Sequence, residues 1–484
     1  MKFNFFNMIR RIGMAAGFVL NAAMIVVAQN NNAATISLQQ AIEKGIENNL
    51  EVRQSELLMK TGKIDWNQAR LNMLPSVDGS ASSGINQGRS IDPFTNSFVN
   101  QQINFSSYGV SAGVVLFNGL SMQHATKQNG YAYEAAKMDW QQAKDNLTIQ
   151  VILAYLQVLT NEDLLEQAQN QEKLSKEQVD RLEVLNNQGS IPPSDLSDLR
   201  GQYANDQLAI ISARNAVATA RLSLCQLLNI PYDASMKLER IDAARYATRY
   251  EATPDSIYQT ALGAFAQIKA ADLRKRSWQH ALKAERGRLF PTLSLNAGAT
   301  TNYSSAARSS ILSGTGEEVS NDYVVVNGIN IPVVKRVNNF ETGKIDYGKQ
   351  LNNNLYSQVS LNLRVPIFSN WMQRNRIRRA ELTLESSEIE EQTAKTRLQQ
   401  AIEQAHINMT TSLDRFHTLL EQHTAFRESF LAAETRFQEG VGTTIDYLTA
   451  KNNLDRANLN LIAARYDYVL RTKILDYYQG KQLW

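Results

Sequence analysis

The sequence predicts a mixed α and β fold made of two internal repeats, in which a β-barrel shared between copies of the chain continues into a barrel of long coiled-coil helices. Two observations lead to this prediction. Phe117 and Gly189 are followed 251 residues later by Phe368 and Gly440. Strand-like alternation precedes each Phe, and a long helical run connects each Phe to its Gly. Because a repeat of this size dominates the architecture, it outweighs the length of 484 residues as a guide to domain number.

The N-terminus predicts a secretory signal peptide over residues 1–28. Lys2, Arg10 and Arg11 supply its positive charge, an apolar core follows, and Ala28 is small enough to precede a cleavage site. The alternative, an uncleaved membrane anchor, is disfavoured because the apolar core is shorter than the ~20 residues of a membrane span. Removal of the peptide reduces the 50 Lys and Arg to 47, equal to the 47 Asp and Glu. This balance gives no reason to expect a nucleic-acid partner.

Four short segments alternate between apolar and polar residues. In the last of them, Val359, Leu361 and Leu363 alternate with polar residues. Alternation suits a wall between lipid and water, although an ordinary half-buried sheet has the same pattern. The polar linkers 86–104 and 302–355 favour the first interpretation, because extracellular loops of outer-membrane barrels are long and polar. Even a barrel filled by side chains needs about eight strands, and three copies would give twelve strands and hence an opening, so we expect a trimeric outer-membrane β-barrel with four strands per protomer.

The helical runs predict a long α-helical coiled-coil barrel. Each Phe lies 72 residues before its Gly, which corresponds to about 100 Å of helix, and no proline interrupts either run. A shorter helix returns after each Gly, with apolar residues in a heptad pattern and Asp206 as the polar exception. A second apolar stripe, which includes Leu208 and Ile211, predicts that this helix contacts two neighbours. A closed ring of helices fits that pattern, while a soluble helical bundle is the alternative.

The predicted boundaries follow from these patterns, with a first repeat over 29–254 and a second over 255–484. The first repeat contains a helix at 36–73, strands at about 76–85 and 106–117, a long helix at 119–187, a return helix at 194–228 and a mid-height belt at 229–253. The second contains a helix at 254–289, strands at about 292–301 and 356–367, a long helix at 370–438 and a return helix at 444–479.

The segment from Phe437 to Gly480 reads FQEGVGTTIDYLTAKNNLDRANLNLIAARYDYVLRTKILDYYQG and resembles the TolC-like outer-membrane efflux protein family. The resemblance extends over nearly the whole chain after residue 28. It implies a homotrimer whose barrel lies in outer-membrane lipid and whose helical tunnel reaches into the periplasm. It also implies a passive exit duct of a tripartite efflux or type I secretion system, which receives small molecules or polypeptides from an inner-membrane transporter through a periplasmic adaptor (membrane fusion) protein.

The two helix turns farthest from the strands are the candidate functional region. Glycine at the end of each long helix permits the left-handed backbone of a helix C-cap. The plain interpretation is a capped turn, and the resemblance implies in addition that the turns meet the adaptor. The candidate docking residues are Gly189, Ser190, Gly440, Val441, Gly442 and Thr443.

The resemblance also implies a closable aperture at these turns. The family closes its pore with a ring of acidic side chains and with hydrogen bonds between neighbouring turns. Asp446 stands at the outer acidic position, and Thr449 replaces the second acidic residue one helical turn later. The hydrogen-bonding Asp is present as Asp195, but its Tyr and Arg partners are replaced by Phe437 and Gly442. We expect Asp446 to act either in the aperture or simply as a helix-cap residue.

Nothing in the sequence predicts catalysis. The five histidines include no pair spaced i,i+4, and no nucleophile–base arrangement or phosphate-binding loop is present. We therefore expect no enzymatic activity, no cofactor and no metal site. The competing function is a soluble periplasmic coiled-coil scaffold, which would be found outside the membrane fraction. A simple porin conflicts with the helical content.

Overall fold

A computed structural model describes residues 35–92, 96–241 and 250–481. The predicted signal peptide lies outside these residues, as does part of the predicted belt. The elements are α1 (Leu38–Asn48), α2 (Leu50–Leu71), β1 (Ser76–Asn86), β2 (Arg89–Asp92), β3 (Ser97–Asn100), β4 (Ile103–Phe117), α3 (Ser121–Asn187), α4 (Pro193–Leu227), α5 (Pro254–Ala264), α6 (Ala266–Gly287), β5 (Thr292–Ser304), β6 (Arg308–Val326), β7 (Ile329–Lys344), α7 (Tyr347–Asn353), β8 (Tyr356–Arg364), α8 (Met372–Gln438) and α9 (Thr444–Tyr478). Among the described helices, none combines enough length with enough hydropathy to cross a membrane.

Four strands form one antiparallel sheet in the order β1-β4-β5-β8. Polar side chains from the strands, among them Asp78, Ser111 and Gln358, line a cavity of about 390 Å³ on one face. Apolar side chains such as Val77 and Leu361 are exposed on the opposite face. The alternation in the sequence thus separates a polar face from an apolar face. Among the described strands, β1 and β8 remain as the two edges of this sheet.

Two further hairpins lie where the sequence predicts polar linkers. β2 pairs with β3 within residues 86–104, and β6 pairs with β7 within residues 302–355. The linkers are therefore largely strand, and the Ser- and Asn-rich composition concealed this. The overlooked signal is Asn327 followed by Gly328, because both adopt positive φ (55° and 82°) as a type I′ hairpin turn requires.

Eight of the described helices, all except α7, occur in four pairs of equal length. α3 and α8 have 67 residues each, α4 and α9 have 35, α2 and α6 have 22, and α1 and α5 have 11. α3 and α8 are uninterrupted, so each extends for about 100 Å. α3 packs against α2, α4 and α6, and α8 packs against α6 and α9. The two long helices therefore support these shorter helices.

The helix predicted before β1 and the helix predicted before β5 each consist of two helices. The breaks are at Asn49 and Phe265, where the backbone is extended with ψ of 127° and 126°. The Asn49 side chain accepts hydrogen bonds from two backbone N–H groups of α2, which stabilises the restart of the helix. The two breaks are 216 residues apart, as are Pro75 and Pro291 before the two strands.

Three buried apolar clusters lie along the long helices, centred on Tyr155, Tyr468 and Tyr447. The hydroxyl of Tyr155 on α3 lies 2.9 Å from the carbonyl oxygen of Ile36 and 2.8 Å from that of Glu239. These contacts fasten the N-terminal segment and the segment after α4 to α3. Cys225 is buried in the same cluster, where it behaves as a small apolar side chain.

The sheet passes into α3 through a close backbone contact with the end of α6. Gly119 has a φ of 65°, and a Cβ added there would lie 2.1 Å from the carbonyl oxygen of Gly287. A Cβ on Gly287 would lie 2.5 Å from the carbonyl oxygen of Gly119. The two segments approach this closely only because neither residue has a side chain. The corresponding turn before α8 uses Asn370, with a φ of 48°, 251 residues after Gly119.

Candidate functional site at the helix turns

Both long helices end in the same type of glycine cap. Gly189 has a φ of 72°, and the backbone N–H of Ser190 donates to the carbonyl oxygen of Leu185 at 2.9 Å. Gly440 has a φ of 74°, and the N–H of Val441 donates to the carbonyl oxygen of Arg436 at 3.0 Å. Each bond spans five residues, which is the signature of a Schellman motif. The candidate docking turns are therefore rigidly capped.

The second turn is tight at Gly442. Its N–H donates to the carbonyl oxygen of Arg436 at 3.0 Å. A Cβ at Gly442 would lie 3.1 Å from the backbone nitrogen of Phe437 and 3.2 Å from the Cβ of Arg436. A larger side chain would have to displace these atoms. This geometry accounts for glycine at the position where the resemblance implies arginine.

Asp195 and Asp446 occupy corresponding positions, in the first turn of α4 and of α9. Thr443 caps α9, because its Oγ1 accepts the backbone N–H of Asp446 at 3.1 Å and donates to Oδ2 of Asp446 at 2.8 Å. The cap position of α4 is Pro192, which forms no such side-chain bond. Asp446 and Thr449 are exposed on α9, whereas Asp195 is half-buried. The carboxylate of Asp446 is thus oriented by its cap and open to solvent.

A cleft of about 370 Å³ lies between the two turns. The candidate residues that line it are Ser190, Asp195, Phe437, Gly440 and Gly442. The other candidates belong to the glycine caps of α3 and α8 or to the start of α9 and do not line it; they are Gly189, Val441, Thr443, Asp446 and Thr449. The Asp195, Phe437 and Gly442 positions thus line one cleft within a single chain.

One hydrogen bond joins the two turns beside the cleft, and an aromatic contact packs Phe437 within the second turn. Arg181 donates from Nη2 to the carbonyl oxygen of Gln438 at 2.7 Å, which links the end of α3 to the end of α8. Phe437 stacks on Tyr447 with ring centroids 4.8 Å apart. Tyr447 is fully buried, and burial raises the pKa of its hydroxyl. Phe437 thus packs into the apolar cluster at the turns.

A buried ionic network lies about two helical turns beyond the Thr443 cap. The Nζ of Lys451 on α9 is 3.0 Å from Oδ2 of Asp206 on α4 and 2.8 Å from Oδ2 of Asp455. Ser175 on α3 and Gln202 on α4 also donate to the Asp206 carboxylate. The Lys451 side chain is only 1% exposed. Burial raises the pKa of the Asp455 carboxyl, and the positive charge of Lys451 acts in the opposite direction.

In the sequence, Asp206 is distinguished only as the polar exception on an apolar stripe. Its partner Lys451 lies 251 residues after Arg200, which is exposed and pairs with Glu183 at 2.7 Å. Both halves therefore carry a cation at this position, but it is exposed in the first half and buried in the second. The polar residue in a heptad core position was the available signal, because such a residue requires a buried partner.

The histidines also form a contact that their spacing does not predict. Nδ1 of His124 on α3 lies 3.2 Å from Nδ1 of His280 on α6. Burial and the nearby Lys283 lower the pKa of both imidazoles. Within the described ranges, no three His, Cys, Asp or Glu side chains group together as potential metal ligands.

Comparison with known proteins agrees with this architecture. A family model described as outer membrane efflux protein matches residues 41–229 and 257–476. The chain belongs to the outer membrane efflux protein family. The predicted resemblance, the predicted role as an outer-membrane exit channel and the predicted location in the outer membrane are thereby confirmed. Membership of this family of transport proteins favours the channel over the soluble scaffold.

Individual members of the family are distant in sequence and close in fold. The chain is 22% identical to outer membrane protein TolC of Vibrio cholerae over 406 residues, covering 83% of this chain and 81% of that protein. It is 20% identical to TolC of Escherichia coli over 438 residues, covering 90% and 80%. Its fold is similar to a crystal structure of CusC, with a TM-score of 0.75, 15% identity and coverage of 94% and 96%. The outer membrane protein VceC of Vibrio cholerae gives a TM-score of 0.72 at 12% identity, with coverage of 92% and 97%.

Proposed function

We propose that three copies of the chain form the exit duct of a tripartite efflux or type I secretion system, through which small molecules or polypeptides pass without catalysis. The observation that carries this proposal is the open four-stranded sheet, whose edges are β1 and β8. Unpaired backbone groups are too costly at the edge of a sheet in a membrane, so the sheet must close. Three copies of four strands give a closed barrel of twelve strands.

The helices support the same threefold assembly. Leu208 and Ile211 on α4 are 61% and 63% exposed, and Ile389 and Ile407 on α8 are also exposed. Large apolar side chains in such numbers on long helices indicate contacts that a single chain does not provide. The equal lengths of the paired helices support two repeats per chain, so that three chains supply a ring of six similar units.

The trimer is tested by the mass of the purified protein. We expect light scattering in detergent to give three copies for the parent chain and mainly one copy for the double variant Leu208→Asp and Ile211→Asp, because charges would replace apolar contacts between chains. Val441→Asp is the matched control, since Val441 is 77% exposed at a turn and should leave the mass unchanged. A parent chain of single-copy mass would contradict the proposal.

We further propose that the turns contact a periplasmic adaptor protein and, through it, an inner-membrane transporter. Apolar Val441 and Ile445 protrude into solvent beside the second glycine cap. Exposed apolar side chains on a rigid turn suit a protein contact. The proposed contact set is Gly189, Ser190, Gly440, Val441, Gly442 and Thr443.

The aperture proposal concerns Asp446 above all. In a threefold assembly with the start of α9 at the axis, three oriented carboxylates would face one another. Like charges in such a ring repel one another and attract divalent cations. Asp195, Phe437 and Thr449 would border the same opening. Phe437 has no hydrogen-bonding group and is packed on Tyr447. Arg181, which already donates to Gln438, is the group placed to substitute for the missing hydrogen-bonding partners between turns.

For Asp446→Asn we expect single-channel conductance in planar lipid bilayers to change, and block by divalent cations to weaken by about tenfold, since three negative charges disappear at once. Asp198→Asn is the control, because Asp198 is exposed one helical turn beyond Asp195 on α4. Unchanged conductance together with unchanged cation block would leave Asp446 with the role of a helix cap only.

A further inference from the structure

The β6–β7 hairpin forms a two-stranded sheet of its own, separate from the four-stranded sheet. It is inserted between the end of β5 and the start of β8, at the end of the sheet opposite the helices. Its strands have 19 and 16 residues. A two-stranded hairpin of this kind is at best marginally stable in water. The hairpin therefore requires a partner.

The tip of the hairpin is apolar on both faces. From Tyr323 to Val334 no residue is charged. The register places Val324 and Val326 on one face with Ile331 and Ile329, and the large apolar side chains of this segment other than Val333 are 46–68% exposed. The other face carries Tyr323, Val325 and Pro332, with Asn330 opposite Val325 as its polar residue. An exposed segment of high β-propensity without charge is prone to pair with further strands.

The charges below the tip are segregated by strand. The outer half of β6 carries Glu317, Glu318 and Asp322, and the outer half of β7 carries Lys335 and Arg336. Glu317 lies opposite Arg336, and Glu318 lies opposite Lys335. In the described part of the chain, none of these four opposed side chains is within ion-pair distance of an opposite charge. One edge of the hairpin is therefore acidic and the other is basic.

Rotational symmetry brings unlike edges together. In a ring of identical hairpins the β6 edge of one copy meets the β7 edge of the next, because the contact is heterologous. The two strands then run antiparallel, and their side chains are neighbours on one face, where opposite charges stabilise the pair. Such pairing also satisfies the free backbone groups of both edges.

We propose that the β6–β7 hairpins of three copies pair edge to edge at the outer mouth of the assembly, with the acidic edge of each hairpin against the basic edge of the next. This inference rests on the proposed threefold assembly. Three hairpins give a ring of six strands, fewer than the about eight whose interior is just filled by side chains. The ring therefore narrows the outer mouth.

The test uses a single cysteine near the tip and a short bifunctional maleimide. For Asn330→Cys in the purified assembly, we expect covalent dimers on denaturing gels, because the three tips lie close together. The parent chain is the control, since its only cysteine, Cys225, is buried. Light scattering of the same samples measures the number of copies independently of cross-linking.

Charge variants distinguish pairing between copies from pairing within one hairpin. An acidic variant carries Lys335→Glu and Arg336→Glu, and a basic variant carries Glu317→Lys and Glu318→Lys, each in addition to Asn330→Cys. For each variant alone we expect the yield of the cross-linked product to fall at least fivefold. When the two variants are co-expressed, we expect most of this yield to return. In the mixture each hairpin still has like charges on its two strands, so pairing within one hairpin is not restored. Recovery of the cross-linked product therefore requires contacts between copies.

A three-copy assembly without cross-linking, or without recovery in the mixture, would overturn the inference and leave the proposed function intact. Cross-linking of Asn330→Cys to a different polypeptide would overturn it in favour of another partner. A single-copy mass would instead defeat the proposed function itself.

Discussion

Lys451→Met is expected to lower the free energy of unfolding by about 3–5 kcal/mol, the usual loss when one partner of a buried ion pair is removed. Asp206 and Asp455 would remain buried with no cation, since the Lys451 Nζ lies within 3.0 Å of both carboxylates. The measurement is urea unfolding of the detergent-solubilised protein at pH 8, followed by far-UV circular dichroism. Arg200→Met is the matched control, because this corresponding cation is exposed and paired at the surface; about 1 kcal/mol or less is expected there.

The loss should depend on pH with a definite sign. Burial raises the pKa of Asp455 above its ordinary value of 3.8. A group whose pKa is raised in the folded state contributes stability at low pH that is lost as the pH rises through the folded value. Without Lys451 this pKa rises further, so the difference between variant and parent should shrink from pH 8 to pH 5. A difference below about 1 kcal/mol at pH 8 would contradict a structural role for the network.

Gly119→Ala is expected to reduce stability by about 2–5 kcal/mol, from two causes. A left-handed conformation costs a residue with a Cβ about 1–2 kcal/mol, and overpacking adds about 1–3 kcal/mol. The overpacking arises because the new Cβ would lie 2.1 Å from the carbonyl oxygen of Gly287. The measurement is the thermal midpoint of the purified assembly, together with the fraction that reaches the outer membrane.

Gly201→Ala is the control for this substitution. Gly201 lies inside α4, and no atom is within 4 Å of the position of its Cβ. Alanine should stabilise the helix there by about 1 kcal/mol. If Gly119→Ala also proved neutral or stabilising, the close contact between the start of α3 and the end of α6 would not matter for the junction.

The periodic parts of the fold could be predicted from the sequence. A polar and an apolar face arise from strict alternation in strands such as β8, and the family follows from the segment that begins at Phe437. The breaks at Asn49 and Phe265 could not be predicted, because neither residue is a strong helix breaker and the apolar pattern continues across both. The Ser-, Asn- and Gly-rich remainder of residues 302–355 concealed the strands around Asn327, although valine and isoleucine flank its Asn-Gly turn.

At the turns, the sequence identified the residues but not their contacts. The glycine caps follow from residue type, since positive φ favours glycine. The ionic partner of Asp206 lies 245 residues away in the sequence, at Lys451. No local pattern predicts such a pair, because it depends on which helices pack together. The link from Arg181 to Gln438 is likewise a product of packing between the two halves.

The equal lengths of α3 and α8, 67 residues each, have a consequence for how the proposed helical tube can change in evolution. Loss of one heptad from a single long helix would displace its turn by about 10 Å along the axis, so neighbouring turns would no longer end at one level. A shorter or longer tube therefore requires matched deletions or insertions in both halves of the gene. In the proposed assembly, two helices of one chain must therefore agree on the distance that the tube spans.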